Sequence, residues 1–387
     1  AAPLRYPSER IKMATLRSFG PVALLLGLGG VAAAVVLACE DDPHRRTEPG
    51  GGGGACEALP GELPAPDCDN SSKSCKPQAG CEIDEGRCGT KSTCLPLSDN
   101  KGKDVLDLRI RRLNIAAPEA LAGQFIQNTV VNSGIDLNEP TCSEIGKGLF
   151  TWLLRVDKKA GTLVTGGAPP SSDPIGQGFC FANFEIGGTK VQPISAKIEF
   201  TGDTFKTVER QNVNIPIFLS EQLSSAIILP IRDARIEGVT ISADGNCIGA
   251  FNAAALDPSC TEDRDLCPKW TTAGALGGFI TLEEADGVKI RDLNNKSLCA
   301  FLAAEADLVC TRDAAGKITY KGDYCSTDKT PGSCQDSVWL AATFAASASK
   351  IFEGQGVVEG CSGATTGPVD AGTDADVSDA ATDADAQ

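Results

Sequence analysis

Apolar and polar positions alternate over long stretches of the chain from residue 104 onward, the period of strands with one buried face. In VLDLRIRRLNI, Leu106, Leu108 and Ile110 fall on one face, and the phase then shifts to Leu113 and Ile115. A bulge or strand break near Arg111 and Arg112 accounts for the shift. The spacing next becomes helical: Pro118 suits a first turn, Leu121, Ala122, Phe125, Ile126 and Val130 make one apolar face, and Gly134 supplies a stop. Alternation resumes at Phe150, Trp152, Leu154 and Val156, ahead of a hairpin through KKAG into TLVTGG, and again at Ile194, Ala196, Ile198 and Phe200. VNIPIFL repeats it at Val213, Ile215, Ile217 and Leu219, with Pro216 pointing to a sheet edge, and VTISADGNCIGAF carries an Asp244-Gly245 turn. SLCAFLAAEA, residues 297–306, predicts a helix. DSVWLAATFAASASKIF fits two periods: Val338, Leu340, Ala342 and Phe344 suit a strand, while Leu340, Phe344 and Ile351 suit a helix face. The expected fold is mainly β with a few helices (α+β), an antiparallel sheet body over residues 104–361.

Composition adds a compartment to this picture. The chain has 387 residues, 17 of them cysteine and one histidine. So many cysteines suit an oxidising space and predict disulfides. Zinc is the competing explanation, but no C-x2-C pair occurs and the one histidine, His44, lies apart from the cysteines. No metal site and no cofactor are expected. Lys plus Arg number 35 against 51 Asp plus Glu, a net charge of −16, which argues against nucleic acid as a partner.

The N-terminal pattern predicts export. Met13 is the one methionine and the preferred start of translation, with residues 1–12 as upstream sequence. MATLRSFG supplies a basic region with Arg17, and PVALLLGLGGVAAAVVLA gives 18 uncharged residues before Cys39. That length also approaches a membrane-spanning helix, and an uncleaved span with a chance cysteine is the competing reading. Gly27, Gly29 and Gly30 weaken a span, and the run ends in Val36-Leu37-Ala38-Cys39, which resembles the lipobox of bacterial lipoproteins. The resemblance implies that the Cys39 thiol receives a diacylglycerol, that the leader (residues 1–38) is cut between Ala38 and Cys39, and that acyl chains anchor the protein to a membrane. Glu40 follows in place of the aspartate that favours inner-membrane retention in enteric bacteria, so the implied address is the cell envelope, at the outer membrane, on its periplasmic or surface face.

Behind the anchor, residues 39–55 form a charged, glycine-rich tether. Six cysteines follow, Cys56, Cys68, Cys75, Cys81, Cys88 and Cys94, in a stretch with few large apolar side chains, which predicts a small stapled module over 56–97. Ten more lie between Cys142 and Cys361. Without Cys39 sixteen remain, and because six and ten are both even, each region can close its own bridges, with a boundary near residues 97–103. Residues 362–387, with six aspartates and no basic residue, read as a disordered acidic tail. The arrangement as a whole resembles cysteine-rich lipoproteins of high-GC Gram-negative bacteria.

Catalytic signatures are sparse. His44 sits in the tether, where it cannot serve a Ser-His-Asp or Cys-His site, and no H-E-x-x-H, G-x-S-x-G, P-loop or G-x-G-x-x-G occurs. Ser347-Ala348-Ser349-Lys350 and Ser98-Asp99-Asn100 match two elements of penicillin-binding proteins in the wrong order, and KTPG at 329–332 interrupts the third with proline. Glu262, Asp263 and Asp265 of CTEDRDLC, Cys260 to Cys267, read as solvated surface. No catalytic residue is assigned and no enzyme is expected. The expected function is a membrane-anchored envelope lipoprotein with a binding or structural role, its ligand a protein, glycan or lipid. A carrier of hydrophobic ligands is the alternative, and a carboxylate-dependent hydrolase a more distant one.

Overall fold

The alternating stretches pair into one antiparallel sheet of thirteen strands in a computed structural model. It describes residues 58–66, 94–123, 126–139, 144–251, 269–290, 293–353 and 359–361, all within the compact unit Glu48–Gln387. In chain order the strands are β1 (Val105–Ala117), β2 (Trp152–Asp157), β3 (Thr162–Gly167), β4 (Ile194–Thr201), β5 (Thr204–Thr207), β6 (Gln211–Ile217), β7 (Ile227–Glu237), β8 (Val239–Thr240), β9 (Cys247–Ile248), β10 (Gly274–Thr281), β11 (Tyr324–Cys325), β12 (Thr330–Pro331) and β13 (Ser337–Ala348). Their spatial order is β6-β7-β10-β13-β1-β2-β3-β4-β5-β8, with β9 and β11 pairing to β13 and β12 to β11.

Strand β1 keeps its sequence pattern. Leu108 faces Ala348 and Ile110 faces Ala346, but the next partner of β13, Ala345, faces Arg112. Arg111 is the extra residue of a bulge, and through it Leu106, Leu108 and Ile110 join the same core as Leu113. The β2–β3 hairpin pairs Trp152 with Gly167 through Asp157 with Thr162, as the alternation predicts. Pro216 lies in β6 at an end of the sheet, where its missing N–H costs no ladder bond. Across the Asp244-Gly245 turn, the N–H of Ser242 donates to the carbonyl of Cys247. The ambiguous run 336–352 resolves as β13, whose twelve residues are all buried. Both of its faces are covered, so no polar alternation marks it.

The sheet curls until its ends meet strands on the far side. Ile236 N of β7 donates to Thr207 Oγ1 of β5, and Thr240 N of β8 donates to Ala273 O beside β10. At the other end, Pro216 of β6 packs so closely on β3 that a Cβ at Gly167 would lie 2.4 Å from it. The interior is filled by Leu108, Leu154, Val156, Leu163, Ile215 and Phe344, among others, all inaccessible to solvent. Burial at this density is the main stabilising contribution to the fold.

Helices are short, and their buried side chains, among them Ile126, Ile135, Leu282 and Leu298, join the same core. The stretch expected as one helix splits into α1 (Glu119–Ala122), a π-type turn over Ile126–Asn132, and α2 (Ser133–Ile135). Pro118 precedes α1 rather than entering its first turn. Gly134 lies within α2 rather than after it, close to Phe150, and the chain leaves the helix at Asp136. Gln127 is occupied with β1: it accepts from Ile115 N and donates to Leu113 O, so this segment is docked by side-chain bonds as well as by an apolar face. Phe125 lies outside the described residues. Further on are α3 (Leu282–Gly287) and α4 (Leu298–Leu302), the latter shorter than expected and capped by Ser297.

Among the described residues four disulfides reinforce the body: Cys94–Cys247, Cys180–Cys361, Cys299–Cys310 and Cys325–Cys334. The first corrects the expected boundary at 97–103. Cys94 is bridged across 153 residues to β9, and Leu97 and Ser98 both donate to the Ala348 carbonyl of β13. Residues 94–103 therefore belong to the body. Residues 58–66 also lie on it: Gly61 O accepts from Arg235 and Glu62 O from the Trp339 indole. Parity misassigned Cys94 because an even count says nothing about which thiol lies near which. Cys56, Cys68, Cys75, Cys81, Cys88, the tether and the acidic tail lie outside the described residues.

Leu154→Ala, in the interior of the curl, is expected to cost about 2–5 kcal/mol in urea unfolding. With Cys39 lipidated as the sequence predicts, the four described bridges leave five of the other sixteen cysteines before residue 94 and three after it, Cys142, Cys260 and Cys267. Both numbers are odd, so complete pairing requires at least one further bridge between the two sets. Non-reducing peptide mapping should recover a peptide pair joining one of Cys56, Cys68, Cys75, Cys81 or Cys88 to Cys142, Cys260 or Cys267.

Candidate functional site

Two places concentrate charge. The first is the outer face of β1, where Arg109, Arg111 and Arg112 are almost wholly buried. Arg109 donates to Ile135 O at 2.6 Å and lies over the Phe179 ring, 5.3 Å from its centroid. Arg111 donates to Leu95 O and Ser347 Oγ, pairs with Glu144, and lies over Trp270. Arg112 donates to Asn114 Oδ1. Burial, with the charge of Arg111 adding to it, pulls Arg109 down to about 9. Burial, reinforced by Glu144, pushes the Asp136 carboxyl up to about 6. These groups are closed off from solvent. They fasten segments of chain over the sheet.

The second place is an open cleft at the outer end of β7 and β10. Strand β7 shifts register against β10 between Arg232 and Arg235, and Asp233 at the bulge takes φ of 54°, a region non-glycine residues seldom occupy. Gly278 of β10 permits this approach: a Cβ there would lie 2.6 Å from both Arg232 O and Ile231 Cγ2. Opposite stands the β11–β12 hairpin, with Lys329 also at φ of 54°. Lys329 Nζ donates to Asp233 Oδ1 at 2.7 Å, and Arg210 Nη1 donates to Oδ2 at 2.6 Å. The Tyr324 hydroxyl donates to Lys329 O at 2.6 Å, and its ring sits between Phe279 and Trp339, with centroids 5.3 and 5.0 Å away. This aromatic stack holds the hairpin against the sheet.

The third wall is α3. Thr281 caps it and Glu284 closes a capping box, accepting from Thr281 N and Oγ1 on Oε2. Its other oxygen accepts from Nε and Nη2 of Arg232 at 2.7 and 2.5 Å. The space enclosed is about 310 Å³, lined in addition by Asn212 and Ser326. Burial pushes both carboxyls up, but the hydrogen bonds from Lys329 and Arg210 to Asp233, and from Arg232 and Thr281 to Glu284, outweigh it and hold both below the ordinary range. At neutral pH the cleft therefore holds two ionised, fully engaged carboxylates.

The chain has no match among known protein families, curated proteins or solved structures. Its own geometry is the ground for any functional reading.

The sites expected from the sequence fall mostly elsewhere. Ala38, Cys39, His44 and the acidic loop from Cys260 to Cys267 lie outside the described residues. Ser98 does come close to this stretch, since Ser98 N donates to Ala348 O. The Ser347 hydroxyl, however, is buried against Arg111, and exposed Lys350 donates to Gly176 O, so the serine and lysine of that stretch take separate partners. Two groupings have metal-like spacing, Asp286 with Cys299 and Cys310, and Asp336 with Cys325 and Cys334, but their sulfurs are bonded to each other. No described helix is long and apolar enough to cross a membrane. The sequence reading missed Arg210, Arg232, Asp233 and Glu284. Its one available signal was the loss of alternation at Arg232-Asp233-Ala234 in PIRDARIEGV.

Because the folded Asp136 carboxyl takes up a proton near pH 6 and the unfolded one near 4, the native state holds the extra proton between these values. Its contribution to stability is therefore lost as pH rises from about 4 to 6 and does not return above. Asp136→Asn should gain stability relative to the wild type across that window and keep a constant advantage above it, read by urea unfolding at successive pH values.

Proposed function

We propose that this chain is a lipid-anchored envelope protein whose body binds a ligand in the cleft around Asp233 and Lys329. The observation that carries the binding role is the cleft itself, an open recess of about 310 Å³ with charged side chains from β7, α3 and the β11–β12 hairpin along its walls. The address rests on Val36-Leu37-Ala38-Cys39 at the end of 18 uncharged residues. Four disulfides support an oxidising compartment. In this reading the Cys39 thiol carries the diacylglycerol, the leader is removed after Ala38, residues 39–55 are a tether, and the cysteines from Cys56 to Cys88 staple a small module next to the body. The outer membrane is the favoured location, on either face.

Binding is favoured over turnover by the chemistry of the walls. A carboxylate-dependent hydrolase needs one carboxyl protonated at working pH, whereas Asp233 and Glu284 are both held ionised. A carrier of hydrophobic ligands needs a lined space of about 300 Å³ or more. The interior of the curled sheet offers about 30 Å³, room for one water, between Trp152, Leu163, Val213 and Ile231.

Radiolabelled palmitate is expected to enter the wild-type protein in its host and to follow it into the membrane fraction. Cys39→Ala should remain unlabelled. A wild-type chain that folds and is exported without label removes the anchor from this proposal.

A further inference from the structure

We propose that the cleft between β7, α3 and the β11–β12 hairpin is a site for a small oxyanion, a carboxylate or phosphoryl group. This deepens the binding role given to the cleft and does not depend on the lipid anchor.

The argument is an inventory of donors and acceptors. Glu284 accepts two bonds on each oxygen, and Asp233 accepts a charged donor on each of its own. Asp336, behind Ser326, is likewise taken, by Ser326 N, Ser326 Oγ and Ser337 Oγ. The acceptors facing the cavity are therefore engaged. The donors are not. Arg232 uses Nε and Nη2, which leaves Nη1 without a hydrogen bond among the described residues. Lys329 Nζ makes one bond of the three an ammonium offers. Asn212 accepts from Asp233 N through Oδ1, which turns no acceptor inward and leaves its Nδ2 without a hydrogen-bond partner among the described residues.

A surplus of charged and amide N–H groups around engaged acceptors selects among ligands. A cation would have to compete with Arg210, Lys329 and Arg232 for carboxylates they already neutralise. A neutral polyol needs acceptors for its own hydroxyl protons as well as donors, and the walls supply mostly donors. An oxyanion brings only acceptors, and charge-assisted bonds to guanidinium and ammonium are the strong ones. The site is also formed in advance. Asp233 and Lys329 are fixed at their unusual φ values by each other, by Arg210 and by Tyr324, so an anion docks without reordering the walls.

Calorimetric titration of the purified full chain in detergent, at constant ionic strength, tests this with inorganic phosphate, succinate and glucose as probes. Saturable binding is expected for phosphate, for succinate or for both, and the pattern separates a phosphoryl from a carboxylate preference. Arg232→Gln and Lys329→Gln should each weaken it about tenfold, the scale of one lost charged hydrogen bond. Lys206→Gln, on an exposed strand elsewhere, should bind as the wild type does. If near-UV circular dichroism finds the Arg232 variant unfolded, Lys329→Gln decides alone, since its ammonium is half exposed. Absence of saturable binding by either anion, or wild-type affinity in the folded cleft variants, overturns the proposal. Glucose binding that is lost in Asn212→Ala, with no anion binding, overturns it too while leaving a binding role for the cleft. No binding by any probe counts against both.

Discussion

Three guanidinium groups buried on one face of a central strand constrain most of what surrounds them. A buried charge without partners costs far more than its packing returns, so Arg109 and Arg111 draw acceptors and aromatic rings toward β1. Those acceptors arrive from distant parts of the chain: Leu95 before the sheet, Ile135 after the helical turns, Glu144 and Phe150 in the loop that follows. Phe179 and Trp270 add aromatic faces from further still. The bulge at Arg111 is what places the arginines together. It lets β1 bury leucine and isoleucine on one side without interruption while two consecutive arginines leave on the other.

A second bulge, in β7, shapes the cleft by the same means. There the displaced residues are Arg232 and Asp233, and the strand beneath gives way through Gly278. The two places differ in access. On β1 the ionic groups are sealed under loops and serve cohesion, whereas at β7 they border solvent and retain unused hydrogen-bonding capacity. One backbone device thus yields a covering layer in one case and an open cleft in the other.

How much of this was legible depended on whether an element had one buried face or two. Strands β1, β2, β4 and β6 each carry a visible alternation, and even the bulge in β1 is written in the phase shift from Ile110 to Leu113. Strand β13 is covered on both faces, so its alanines and serines sit outward where polar residues otherwise mark the surface, and its period was ambiguous. Strand β10, GALGGFIT, carries its glycines where the β7 backbone and Leu63 come close, and it reads as a turn-rich stretch rather than a core strand. The cleft was beyond reach for a different reason. Asp233 and Lys329 are 96 residues apart, and neither carries a local pattern that points to the other. Lys329 falls in KTPG, which the sequence presents only as a motif element interrupted by proline.

The Cys94–Cys247 bridge has a mechanical consequence. Residues 58–66 are held to the sheet by single hydrogen bonds, so tension from the N-terminal side that strips them reaches Cys94, and without a covalent link there it would peel the chain toward β1 one hydrogen bond at a time. The bridge diverts that load to β9, which is laid against the middle of the sheet. Strands loaded there must slide past one another together, a far stiffer response than unzipping.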